Sequence, residues 1–199
     1  MTLKAVALNA TLKSSASGPS STDRMLSLMG AALAKEKVDL TIIRLADHNI
    51  PPGVKSNEGP ADEWPEIRRL ILDANILVFG TPIWLGQPSS VAKRALERMD
   101  AFLSETDDKG RMVSYGRVAA VAVVGNEDGA HHVSAELYQA LNDVGFTLPA
   151  NAVAYWVGEA MGSTDFSELQ HVPEKVTETV AMLARNLAHL ARLLHEQDR

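Results

Sequence analysis

Short apolar runs alternate with longer amphipathic stretches along this chain. The runs Leu3–Asn9, Asp39–Leu45, Ile76–Gly80, Val118–Gly125 and Ala152–Val157 are rich in Val, Ile, Leu and Ala and lack a clean apolar–polar alternation. That pattern predicts five strands with both faces covered. Between the first two, Met25, Leu28, Met29, Ala32 and Leu33 recur at helical spacing, with Ser21 or Thr22 as the N-cap. Trp64, Ile67, Leu70 and Ile71 predict a short second helix. Val91, Ala92, Ala95, Leu96, Met99 and Phe102 predict a third, and a fourth runs from about His132 to Val144. The last helix, opened by Pro173 at a first-turn position, carries Val176, Val180, Leu183, Leu187, Leu190 and Leu194 on one stripe.

Five strand–helix units in 199 residues predict one domain over residues 1–199. The expected fold is a flavodoxin-like three-layer α/β/α sandwich around a five-stranded parallel sheet of order 2-1-3-4-5. Ligands of such sheets sit beyond the carboxyl ends of the strands near the topological switch point. The loops after the first, third and fourth strands are therefore the places to look for chemistry. Residues 46–62, with Pro51-Pro52-Gly53 and Gly59-Pro60, read as a flexible, solvated connection beside the second strand.

Composition narrows the chemistry. With 19 Lys and Arg against 25 Asp and Glu, the formal charge is −6, and no basic footprint for a nucleic acid partner exists. The absence of Cys excludes disulfides, a Cys nucleophile, thiolate zinc and Cys-ligated iron–sulfur clusters. Any redox chemistry must then use a borrowed cofactor. No stretch approaches the ~18 consecutive apolar residues of a membrane helix, so no membrane partner is expected. The first strand-like run begins at Leu3, which leaves no room for a charged-then-apolar leader, and a cytoplasmic location is expected.

After Asn9 the chain reads ATLKSSASGPSSTDRML, a hydroxyl-rich loop feeding a helix. Hydroxyls, helix-start amides and Lys13 suit an anion, and no carboxylate precedes Asp23. A solvated Ser-rich turn with an N-cap is the plainer alternative. Neither G-x-G-x-x-G nor G-x-x-x-x-G-K-[ST] occurs, which disfavours a dinucleotide grip of that type and nucleoside triphosphate hydrolysis.

The third strand runs into TPIWLGQPSSVAKRALERMD, Thr81 to Asp100. Ile83, Trp84 and Leu85 offer a flat apolar wall for a planar heteroaromatic, with amides near Gly86 free to point at it. The alternative for Trp84 is a core or subunit-contact aromatic. The fourth strand ends in GNEDGAHH, where two glycines let the backbone approach a ligand and the Asn126 amide suits a ring carbonyl. Glu127, Asp128, His131 and His132 can in principle bind a metal, but H-E-x-x-H and EF-hand spacings are absent, and no metal site is expected.

In this order, NATLKSSASGPSST, TPIWLGQPSSVAKRALERMD and GNEDG resemble three motifs of the NADPH-dependent FMN reductase family: its phosphate loop, its P-x-Y/W-x-G turn with a Ser- and Lys-bearing helix, and its G-x-x-x-G loop. The resemblance runs from the first strand to about the fourth helix. It implies non-covalent FMN, with Thr11, Lys13, Ser20, Ser21 and Thr22 on the phosphate. Pro82, Ile83, Trp84, Leu85 and Gly86 would flank the isoalloxazine, and Gly125, Asn126, Glu127, Asp128 and Gly129 would line its other edge. It also implies NADPH or NADH as donor, a small-molecule acceptor such as a flavin or quinone, and chemistry carried by the flavin rather than by a catalytic side chain. Amides around Leu85 and Gly86 would then stabilise the reduced ring.

A homodimer or homotetramer is further implied, with the third helix and Trp156 as contact surfaces or, equally, as core. The chain departs from the family where many relatives carry G-S-x-R: here stand Asn9-Ala10-Thr11 and an extended Lys13-to-Ser21 segment. The alternative is a flavodoxin-like electron carrier without its own turnover, against which stand the modest acidity and the absence of T-x-T-G-x-T. Asn9 and Gly80-Thr81 replace the acidic residues of a phosphoacceptor receiver, and no G-x-S-x-G elbow supports a serine hydrolase.

Overall fold

The computed structural model describes residues 2–197. Its strands are β1 (Leu3–Asn9), β2 (Val38–Arg44), β3 (Ile76–Trp84), β4 (Gln87–Pro88), β5 (Val118–Gly125) and β6 (Val153–Val157). The helices are α1 (Ser21–Lys35), α2 (Trp64–Asp73), α3 (Ser90–Met99), α4 (Ala130–Asp143) and α5 (Glu174–Gln197). Five strands pair in parallel in the order β2-β1-β3-β5-β6, and β4 is an antiparallel flap on β3. Leaving out the flap, this is the 2-1-3-4-5 order expected from the alternation.

Strand geometry sends successive side chains to opposite faces, and both faces of the central strands are apolar. Val6, Leu8, Leu77, Phe79, Ala119, Val121 and Val123 meet α2, α3 and α4. Leu3, Ala5, Ala7, Ile76, Val78, Ala120 and Ala122 meet α1 and α5. The small residues of that second face let its helices come close. Gly80 shows why: a β-carbon there would stand 3.0 Å from Thr22 and Leu26 of α1. This close approach brings the start of α1 to the carboxyl end of β3.

Coverage of both faces fails at β2, where Asp39, Thr41 and Ile42 are exposed, because this strand is an edge. The third strand runs to Trp84 rather than ending at Gly80, because a two-residue turn folds β4 back onto it. Leu85 and Gly86 carry φ of +52° and +72°, the sign a type I′ turn needs at both positions. The cap of α1 is Ser20, not Ser21 or Thr22: its hydroxyl accepts from the Asp23 amide while the Asp23 carboxylate accepts from the Ser20 amide. Gly129 caps α4, so His131 and His132 fall in its first turn. Pro173 stands just before α5 rather than inside it.

Ala92, Ala95, Met99 and Phe102 are buried in the core, so the stripe of α3 is packing surface. The connection 46–62 is tied down rather than loose. Arg98, fully buried, pairs with the buried Asp62 at 2.5 Å and donates to the carbonyls of Pro51 and Lys55 at 3.1 and 3.0 Å. Its position among the polar residues of α3 hid this role in the sequence.

Candidate functional site

A cavity of about 390 Å³ opens at the carboxyl ends of the strands, within the usual size of a small-molecule site. Twelve sequence-designated residues line it: Thr11, Lys13, Ser20, Ser21, Thr22, Pro82, Ile83, Trp84, Leu85, Gly125, Asn126 and Glu127. Gly86, Asp128 and Gly129 do not. They build the rim behind it, where a β-carbon on Gly129 would lie 2.9 Å from the Gly86 Cα. That contact holds the start of α4 against the β3–β4 turn.

One end of the cavity is the loop after β1 and the start of α1. Register places Arg44 of β2 beside Asn9 of β1. Arg44 donates to the Gly18 carbonyl at 2.9 Å and pairs with Asp23, which also accepts from the buried Asn9 amide at 2.5 Å. Asn9 Oδ1 in turn accepts from the Thr11 amide at 3.0 Å, turning the chain out of the strand. Burial pushes the Asp23 carboxyl up, but hydrogen bonds from Arg44 and Ser20 outweigh that and hold it below its ordinary value. The Asp23 charge is thus neutralised from within.

Ser20 and Ser21 are engaged inside the protein, Ser20 with Asp23 and Ser21 with Ser167. Thr22 differs: its hydroxyl is buried without a partner. The amides of Ser21 and Thr22, at the first two helical positions, have no intrahelical acceptor. Lys13 is exposed at the rim and forms no ion pair with any described residue.

The other end is apolar and open. Trp84 is 54% exposed and Leu85 92%, so Trp84 is not a core residue. Ile83 and Val124 form the buried floor. The Leu85 and Gly86 amides are not free: the two Glu127 carboxylate oxygens accept from them at 2.9 and 3.0 Å. These amides, expected to serve a ligand, are here engaged by Glu127. Asn126 is also turned from its expected use. Its nitrogen donates to the Asp165 carboxylate at 3.0 Å, and a carboxylate only accepts, so the amide oxygen is the atom left over, buried and without a partner.

Leu12, Val124, Trp156, Met161, Gly162 and Asp165 complete the lining. Four of these lie at or beyond the end of β6, a strand whose following loop the sequence reading passed over. The same rule about carboxyl ends, applied to the fifth unit, finds Trp156. Trp156 packs against Phe166, with ring centres 5.2 Å apart, and lines the cavity. No three His, Cys, Asp or Glu residues cluster to hold a metal among the described residues.

Comparison with known proteins follows this geometry. The chain is 37% identical over 199 residues to the divalent metal cation transporter MntH of Mycobacterium bovis, covering 96% of this chain but 29% of that protein. The match thus spans under a third of that relative's length. Among the described residues, no helix is long and apolar enough to cross a membrane. It is 33% identical over 208 residues to 8-demethyl-8-aminoriboflavin-5′-phosphate synthase of Streptomyces davaonensis, covering 98% of this chain and 80% of that one.

In structure it resembles RosB with bound 8-demethyl-8-formylriboflavin-5′-phosphate, at TM-score 0.88 and 30% identity over 99% of this chain and 82% of that one. An archaeal flavodoxin shares the fold at TM-score 0.62 and 10% identity, over 96% and 99% of the two chains. Residues 3–162 match the description of the NADPH-dependent FMN reductases, and the chain belongs to that family.

Proposed function

We propose that the protein is an FMN-dependent oxidoreductase that takes electrons from NADPH or NADH and passes them to a small acceptor such as a flavin or quinone. The observation that carries this reading is the unlike character of the two cavity ends. At one end Thr22 offers an unpartnered hydroxyl at a helix N-terminus, with Lys13 at the rim, a setting for a phosphate. At the other, Trp84 and Trp156 supply aromatic surface for a planar ring, and Asn126 Oδ1 awaits a donor such as a ring N–H. These residues fit FMN.

When bound, FMN supplies two-electron redox chemistry that no side chain here provides. The protein's part is to anchor, orient and leave one side reachable. Arg44 and Asp23 hold the phosphate loop, Glu127 holds the hairpin that carries Trp84, and the exposed rim admits donor and acceptor in turn. Alternating use of one face predicts ping-pong kinetics.

A second reading treats the flavin phosphate as substrate, its ring substituent being altered. It is favoured by the identity to the Streptomyces davaonensis synthase and by the likeness to RosB with its riboflavin-phosphate intermediate. One experiment separates the two. The protein is loaded with FMN, desalted and treated anaerobically with NADPH or NADH. Flavin that stays bound, bleaches and returns unchanged in mass on adding a quinone supports the reductase. Flavin of altered mass supports the second reading, retained flavin that never bleaches supports an electron carrier, and no retained flavin rejects all three.

A further inference from the structure

Leu85 and Gly86, both at positive φ, turn two successive amides toward one point. Such an arrangement is an anion-binding nest. Here the anion is internal: Glu127, 41 residues from Gly86, fills the nest with both carboxylate oxygens. Glu127 also lines the cavity beside Trp84 and Leu85, and it forms no ion pair with any described residue. The ring end of the site therefore holds a carboxylate that no described cation pairs with, while the two donors that would have favoured added electron density are consumed.

We propose that Glu127 lowers the reduction potential of the flavin bound in this cavity, acting as an electrostatic positioning residue rather than as a proton donor. The inference rests on FMN occupying the site. Uptake of two electrons and one proton leaves the isoalloxazine one unit more negative than its oxidised form. A fixed negative charge nearby weakens binding of the reduced form relative to the oxidised one, which makes the bound flavin a stronger donor toward its acceptor. A hairpin clamp without electrostatic effect behaves differently: its loss weakens both oxidation states alike and leaves their ratio unchanged.

The test measures the midpoint potential of the FMN-loaded protein by equilibration with a reference dye, for the wild type, Glu127→Gln, Glu127→Ala and Glu127→Asp. Either neutral variant suffices if the other fails to fold. The expected result is a shift of about tenfold in the ratio of reduced to oxidised affinity, which for a two-electron couple is a rise of about 30 mV. Glu127→Asp, which keeps the charge but is shorter by one methylene, should stay near the wild-type potential even if it binds oxidised FMN less tightly. An unchanged potential in the neutral variants overturns the proposal, as does an equal rise in Glu127→Asp. Failure of the wild type to retain FMN on desalting is a separate result, and it rejects the site reading itself.

Discussion

At the α1 end of the cavity, Asp23 is held by Arg44, Ser20 and Asn9, and Asn9 and Ser20 are themselves buried. At the hairpin end, Trp84, Leu85 and Met161 stand 54, 92 and 97% exposed, and Leu85 and Met161 sit in the left-handed region. The first end is closed by charge-assisted hydrogen bonds from three separate elements. The second carries backbone strain and solvent-facing apolar surface. The difference matches what each end would have to do: a phosphate is held best by donors that do not move, whereas a redox ring must stay reachable. Strain and exposure concentrate where a site exchanges its visitors.

Removing Arg44 attacks the closed end most directly. Arg44→Ala leaves the Asp23 carboxylate part-buried without its cation, and stability should fall by about 1.5–3 kcal/mol, the range for a hydrogen bond to a charged group, in a denaturant titration. FMN affinity should fall more than riboflavin affinity, because the damage lies at the phosphate end. Acid should reach the same pair without mutation. The folded-state pKa of Asp23 lies below its ordinary value of 3.8, so the unfolded chain binds the proton more readily. Stability from the pair is then full above that ordinary value and is lost as pH falls through the lower folded one. Asp23→Asn should flatten that part of an acid-unfolding profile.

At the open end, Trp84→Ala should weaken FMN and riboflavin alike, by about tenfold in a fluorescence titration, for loss of one stacking surface. Its half-exposed position predicts a change in stability of only about 0.5 kcal/mol. Thr22→Val sharpens the contrast, because the hydroxyl it removes is buried without a partner. The apo protein should gain about 1 kcal/mol while FMN affinity drops several-fold, and unchanged affinity would show that the hydroxyl has no part in binding. The smallest effect is expected of Leu85→Gly. Relief of left-handed strain is offset by glycine's larger unfolded entropy, which leaves a net gain of about 0.5 kcal/mol in thermal or chemical unfolding.

Much of this was legible in local patterns. The alternation of apolar runs with helical stripes placed all five parallel strands and all five helices, because parallel strands covered on both faces must read as continuous apolar segments. Position after a strand end marked the three loops, and the family resemblance designated within them twelve of the residues that line the cavity. The flap β4 was not legible, since two residues leave no periodicity and its turn depends on Leu85 adopting a conformation that leucine disfavours. Trp156 stands on β6 and was read only as a contact or core residue, while Asp165 lies in the loop after it, which had drawn no attention for want of unusual composition.

What the sequence by itself determined is the layered fold and the two chemical characters of the site, hydroxyls before α1 and an aromatic hairpin after β3. These are written in neighbouring residues, and short-range propensity and periodicity read them. Partnership was decided only in the tertiary structure. Arg44 reaches Asp23 because β2 pairs with β1 in one register, Glu127 closes the amides of Leu85 and Gly86 across 42 and 41 residues, and Asp165 turns Asn126 around. A hydrogen bond needs its two groups within about 3 Å, and along a chain that distance is set by the fold and not by separation in sequence.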